Sequence, residues 1–304
     1  MATGIVSVAL STAGFPVLSL VFLGVDIALW LALAASVSAR FVWDRGGWLA
    51  DARTPAALSA VAATSVLGDR LLLLRWRALA WTLLVIAVLA WLVLMPLVLG
   101  SWHRPTVGSS FLVVVATQGL SVTAGGLALA AHTAWLAAPV IAVYLAGLVG
   151  YGWVIASFDW TQFARGRGDH WVLPGALAIS ALAGSNAVSI TDPQGPMAEL
   201  TSLFGALRVL GFVVLGCCLA GYAALAYAEM RWPRFRYHVS RWATVFPLGM
   251  TAAAAMSVAT ATNVGWLGTL GRVLMWPAVA VWLVAAAGAV RNEPAGLIVH
   301  HAHP

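Results

Sequence analysis

The 304-residue sequence consists mainly of ten long apolar runs. Short clusters of charged residues, proline, glycine and aspartate separate these runs. A hydrocarbon core about 30 Å thick requires roughly 20 apolar residues for each helical crossing. Allowing roughly 28 residues for a crossing and its turn, the chain has room for about ten crossings and for no separate soluble domain. We therefore expect a single transmembrane domain over residues 1–304. Its predicted spans are about 1–17, 21–43, 54–68, 75–99, 106–128, 134–158, 171–190, 203–228, 242–262 and 266–290.

The composition excludes two other classes of protein. Apolar residues make up 62% of the chain and charged residues only 9%, whereas soluble domains average about 25% charged residues. Membrane β-barrels are built from short strands in which polar and apolar residues alternate, and this chain has long continuous apolar runs instead. The sequence therefore predicts an all-α membrane protein.

The ten runs fall into two chemical classes that alternate along the chain. The odd-numbered runs contain 22 serine and threonine residues, and the even-numbered runs contain five. Helices that pack against one another favour small and hydroxyl-bearing residues, whereas lipid-facing helices are bulky and apolar. We therefore expect five hairpins, each with an inner and an outer helix. Composition alone leaves open whether the inner helices enclose a pore or pack as a solid core.

Three prolines lie in the predicted inner helices. Pro55 opens the third span, Pro174 opens the seventh, and Pro247 lies inside the ninth. A proline within a helix removes a backbone hydrogen bond, and membranes tolerate freed carbonyls where protein or a water-filled cavity satisfies them. These positions favour a transport path.

The arginines predict the orientation in the membrane. All 16 basic residues are arginine and the net charge is +6. A cytoplasmic N-terminus places 11 arginines on the inside and only Arg70, Arg75 and Arg77 in outside loops, as the positive-inside rule requires. We expect both termini in the cytoplasm, the inner (plasma) membrane as the location, and no nucleic-acid partner. Residues 1–17 are expected to remain as a span, because no basic region precedes them as in a signal peptide.

The sequence favours neither an enzyme nor a cofactor-binding protein. The two cysteines, Cys217 and Cys218, are adjacent in an apolar run, which favours two core residues over a disulfide or metal site. Ligation of haem requires histidines within helices, and the histidines here lie at span ends, in loops or in the tail. We expect no cofactor and no metal. The histidines are His103, His132, His170, His238, His300, His301 and His303.

Three ionisable residues fall within the predicted spans, namely Asp26, Arg208 and Arg272. Each is placed in the first turns of an even span near the outer face, where snorkelling to the interface is one interpretation. The other is that Arg208 and Arg272 make the outer mouth positive and attract anions. The predicted spans have no acidic residue at their centres, which favours a channel over a coupled carrier and anions over cations.

Three segments carry a family resemblance. They are "MATGIVSVAL" at 1–10, "LGDRLLLLRW" at 67–76 and "RWATVFPLGMTAAAA" at 241–255. Together they resemble the tellurite-resistance/dicarboxylate transporter family, which includes bacterial tellurite-resistance proteins, malate permeases, fungal sulfite pumps and plant slow-anion channels. The segments occur in order across nearly the whole chain.

The resemblance implies ten helices, as five hairpins around a quasi-fivefold pore lined by the odd-numbered helices, in a homotrimer with one pore per subunit. It also implies a gate at Phe246, directly before Pro247, where a helix kink would aim the ring towards the axis. Gly4, Gly249, Pro55, Pro174 and Pro247 are expected to line or kink the pore. The family's first helix often has a proline and a short lead-in, which this chain lacks.

These observations predict a passive anion channel or permease with a narrow pore, whose partners are small inorganic or organic anions and the lipid bilayer. The pore is expected to be lined by small residues and hydroxyls. One alternative is a coupled exporter of sulfite, tellurite or C4-dicarboxylate. A second is a membrane protein with a role in assembly and none in transport.

Overall fold

The regular elements are helical throughout the described residues, 1–162, 168–231 and 241–292, of a computed structural model. There are eleven α-helices, short 3-10 turns and one isolated bridge between Thr106 and Phe158, and these ranges contain no strand. The all-α prediction is confirmed. The helices are α1 (Ala2–Thr12), α2 (Pro16–Trp43), α3 (Arg45–Ala52), α4 (Ser59–Leu73), α5 (Arg77–Gly100), α6 (Leu112–Ala131), α7 (Ala134–Ile155), α8 (Val172–Thr191), α9 (Thr201–Arg231), α10 (Trp242–Thr262) and α11 (Gly265–Asn292).

Nine helical segments in the described part of the chain are long and apolar enough to cross a membrane. They correspond to nine of the ten predicted spans. The first predicted span is too long, because α1 has only 11 residues and rises about 16 Å, half of a hydrocarbon core. It ends at a turn in which Gly14 has a positive φ of 91°, and Pro16 then opens α2.

Two boundaries in the second hairpin differ from the prediction. The loop before it contains the short helix α3, whose first turn is capped by the Asp44 carboxylate accepting a hydrogen bond from the Gly47 amide at 2.9 Å. The third predicted span ended at residue 68, whereas α4 continues to Leu73. Asp69 and Arg70 therefore lie within the helix.

Burial separates the helices into the two classes that the hydroxyl count predicted. In the spans containing α4, α6, α8 and α10, between 56% and 89% of the most apolar stretch is buried. In α2, α5, α7, α9 and α11 the corresponding share is 22–28%. We call α1, α4, α6, α8 and α10 the inner helices, and the five long exposed helices the outer helices.

Each inner helix contacts the outer helix that follows it in the sequence. The short helix α3, between α2 and α4, belongs to neither class. The inner helices also contact one another in chain order, from α1 to α4, α6, α8 and α10, and α10 contacts α1 again. These contacts make a closed circuit of five helices.

A glycine lies at every contact of that circuit. At each one, a Cβ atom in place of the glycine hydrogen would lie within 3.1 Å of a side-chain atom on the adjacent inner helix. Small residues allow membrane helices to approach closely. We call these five positions the glycine contacts: Gly4 against Val66 (α1 and α4), Gly119 against Ser65 (α6 and α4), Gly125 against Asn186 (α6 and α8), Gly175 against Pro247 (α8 and α10) and Gly249 against Ile5 (α10 and α1).

We predict that Gly175→Ala destabilises the protein by about 1–3 kcal/mol, the usual effect of overpacking. The added Cβ would lie 2.8 Å from Cγ and 3.4 Å from Cα of Pro247, so the two helices must separate. Thermal unfolding of the purified protein in detergent measures the loss. The control is Gly216→Ala on α9, where nothing lies within 4 Å of the new atom. Equal melting temperatures for the two variants would contradict the prediction.

Candidate functional site

A small cavity lies at the meeting point of the five inner helices. Its volume is about 10 Å³, which is about the space that one water molecule needs. Every inner helix contributes to its wall. Among the described residues, only Ser65 and Asp69 of α4 are lining residues with polar side chains, and the surface that faces the cavity is apolar. The lining residues are Ile5, Ser65, Val66, Asp69, Gly119, Val122, Ile179, Leu182 and Met250.

Phe246 lies one helical turn before the cavity residue Met250. Residues four apart lie on the same face of a helix, so Phe246 and Met250 share a face of α10. Both side chains are buried, and Phe246 is 0% exposed. Pro247 lies inside α10 and has no N–H to donate to the preceding turn.

The other residues that were expected to line or kink the pore do not line this cavity. Gly4 and Gly249 lie at the glycine contacts. Pro55 opens a 3-10 turn before α4. Pro174 lies in the first turn of α8, where its carbonyl accepts a hydrogen bond from the Cys218 thiol at 3.4 Å.

The prediction that Arg70 lies in an outside loop is wrong, because the residue belongs to α4. Its side chain is buried, with 1% exposed, and Nε donates to the hydroxyls of Ser7 at 3.0 Å and Ser19 at 3.1 Å. Each of these serines also donates to the backbone carbonyl of the other at 2.7 Å. Arg70 therefore ties α4 to the hairpin of α1 and α2.

Sequence reasoning missed Asp69 and Arg70 as membrane-embedded residues because the charged pair was interpreted as the end of the span. The signal was present in the sequence. The four leucines at 71–74 follow the pair directly, and so the apolar run resumes where a loop was expected.

Asp26 lies deeper than predicted. It is ten residues into α2, and not in the first turns near the outer face. The side chain is buried, and its Oδ1 lies 3.6 Å from the amino nitrogen of Met1.

The two arginines predicted at the outer mouth have different surroundings. Arg208 on α9 is half-buried, and its Nη2 donates to the Thr262 carbonyl at 2.9 Å, at the end of α10. Its guanidinium also lies 5.9 Å from the centre of the Phe212 ring. Arg272 on α11 is exposed. Both belong to the second turn of an outer helix.

Cys217 is exposed and Cys218 buried, and both thiols are free. The described residues contain no group of three or more histidine, cysteine or acidic side chains placed to hold a metal. Several residues of the sequence analysis lie outside the described ranges, namely Arg165, Arg167, Arg234, Arg236, His238, His300, His301 and His303.

The fold and the buried intramembrane residues define a multi-pass helical membrane protein. Residues 1–290 match the family model described as "Voltage-dependent anion channel". The chain belongs to this family, and the family resemblance found in the sequence is confirmed.

Two curated relatives share part of the chain. Both are described as uncharacterized membrane proteins of Mycobacterium tuberculosis, one from strain CDC 1551 and one from strain H37Rv. Each is 34% identical over 119 residues, which is 38% of this chain and 59% of the relative. The matched region thus spans under two thirds of either relative. No solved structure matches the chain.

We predict that Arg208→Ala lowers the stability by about 1 kcal/mol, the usual net value of a hydrogen bond, because it leaves the last-turn carbonyl of Thr262 without its donor. Arg272→Ala, the matched control, removes an exposed arginine from the equivalent turn of another outer helix and should leave the melting temperature unchanged. Equal losses would mean that the Thr262 contact has no stabilising effect.

Proposed function

We propose that this protein is a passive anion channel or permease whose path follows the axis of the five inner helices. Membership of the voltage-dependent anion channel family supports anions as the transported substrates. The closed circuit of inner helices and the cavity lined by all five of them carry the proposal for the path. In this arrangement the ten helices other than α3 form five hairpins around a quasi-fivefold axis.

Phe246 is the proposed gate. It shares a helix face with Met250, which lines the cavity, and its side chain is completely buried. With this ring buried one turn from the lining residue Met250, the cavity of about 10 Å³ has room for about one water molecule and none for an anion. Rotation of the ring, next to the helix irregularity that Pro247 introduces, would open the path.

Arg208 and Arg272 are proposed to attract anions at the outer mouth, on the side where α9 and α11 begin. Positive charge at the mouth raises the local concentration of anions. Arg272 is exposed, and Arg208 is half-buried against Thr262 and Phe212. The path has no predicted fixed cation at its centre, so small monovalent anions should pass without tight binding.

The proposed setting is the inner (plasma) membrane, with both termini in the cytoplasm and three subunits in a homotrimer. The exposed faces of the outer helices carry large apolar side chains, such as Leu89 at 58% exposure and Val284 at 73%. Such faces suit lipid or a neighbouring subunit.

One observation favours the second candidate, a coupled exporter of sulfite, tellurite or C4-dicarboxylate. The absence of a central acidic residue from the predicted spans favours a channel, but the longer helix α4 places Asp69 at the cavity. Intramembrane carboxylates often belong to proton relays. A flux that a pH or sodium gradient can drive would support this candidate.

We predict that Phe246→Ala raises the flux of chloride or nitrate several-fold, because it removes the ring proposed to close the path. The measurement is anion efflux from liposomes that contain the purified protein. Phe41→Ala, on the exposed surface of α2, is the matched control and should behave like the parent. An unchanged flux for Phe246→Ala would contradict the gate. The absence of flux of any anion in every variant would instead favour a role in assembly.

A further inference from the structure

Asp69 and Arg70 are the only ionisable side chains on the five inner helices. The helices α1, α6, α8 and α10 contain no Asp, Glu, Arg, Lys, His, Cys or Tyr over their whole lengths, and α4 contains only this pair. Charged residues inside a membrane domain are costly and usually serve a function.

The two side chains have different surroundings. Arg70 is bound to the hydroxyls of Ser7 and Ser19, away from the cavity. Asp69 lines the cavity. Within the described ranges, no hydrogen bond or ion pair reaches the Asp69 carboxylate.

Ser65 lies one turn before Asp69, on the same face of α4, and also lines the cavity. The residue is 1% exposed, and its hydroxyl has no hydrogen-bond partner among the described residues. Buried polar groups are nearly always paired. Two residues whose polar groups have no partner among the described residues therefore border one cavity, whose wall in this closed arrangement is apolar.

We propose that Asp69 and Ser65 form a proton-dependent binding site for a small monovalent anion. A protonated carboxyl group has one O–H donor and a serine hydroxyl has another, so the pair can donate two hydrogen bonds to one anion. An ionised carboxylate only accepts hydrogen bonds and repels an anion at short range. The proton comes from water and returns to water, and only the O–H bond of Asp69 forms and breaks.

This site rests on the proposed anion path, and it would make the anion flux along that path depend on pH. When the Phe246 ring has moved aside and Asp69 is neutral, the widened cavity accepts an anion. With Asp69 ionised, the same cavity excludes it. The flux of an anion that carries no proton of its own, such as chloride, should then rise as the pH falls.

In the part of the chain that the structure describes, no other titratable side chain lines the cavity. The elements packed against α4 are α1, α2, α5, α6 and the turn Pro55–Leu58, and only α2 and α5 contain Asp, Glu, Arg, Lys, His, Cys or Tyr. Asp26 of α2 lies beside Gly4. Arg40 of α2 is paired with Asp51, and Arg77 of α5 is exposed.

The test uses the full chain in liposomes, with chloride flux measured as the pH is lowered from neutral. We expect the parent flux to rise several-fold. Asp69→Asn keeps a hydrogen-bond donor and cannot ionise, so its flux should be high at every pH. Ser65→Ala should keep the pH dependence with a lower flux. Asp26→Asn, which neutralises a buried carboxylate that does not line the cavity, is the matched control and should keep the parent profile.

A parent-like pH profile in Asp69→Asn would overturn the proposal. Infrared spectroscopy provides a readout that needs no flux. The parent should show a protonated-carboxyl band at low pH that shifts when chloride is added, and Asp69→Asn should lack it. Absence of that band from the parent would also overturn the proposal. A band that responds to chloride, together with no flux in the parent or in Phe246→Ala, would leave the binding site in place and refute the proposed path.

Discussion

The close packing of the inner helices through the glycine contacts is the constraint on which the rest of the structure depends. Lipid tails are as apolar as leucine, so burial of apolar surface gives membrane helices little reason to associate. Close backbone approach replaces that driving force, and each contact of the circuit has a glycine that permits it. The narrowness of the cavity follows from this packing, since helices held this closely leave only about 10 Å³ between them.

The division into inner and outer helices could be predicted because it depends on composition, which each span carries by itself. Serine and threonine mark the inner helices, but few of them line the cavity. Most bond to a carbonyl of the preceding turn, as Thr117 does to Val113 and Thr251 does to Pro247. Among the described residues, Ser65 is the only hydroxyl-bearing residue that lines this cavity, so the expected lining of the path by small residues and hydroxyls stays a prediction. A count of residues cannot show which way each hydroxyl points.

The positions of charged residues were harder to predict for a related reason. Charged residues usually end a membrane span, and Arg70 was therefore expected in a loop. In the structure, two serines on the adjacent hairpin accept hydrogen bonds from Arg70, and its side chain is buried among the helices. That pairing joins residues far apart in the chain, and no local pattern shows it. The same extension of α4 brings Asp69 to the cavity, and this changes the electrostatic account of the path. The net charge of +6 says little about the path, because most arginines follow the positive-inside rule.

The central claim is that anions pass between the inner helices, and the most direct measurement labels the cavity wall chemically. Cys217 and Cys218 are first replaced by serine, and Met250→Cys is introduced together with Phe246→Ala so that a thiol reagent can enter. Treatment with a charged methanethiosulfonate should abolish the chloride flux. The same treatment of Leu89→Cys, on the exposed face of α5, should leave the flux unchanged. A flux that persists after complete modification of Met250→Cys would contradict a path between the inner helices.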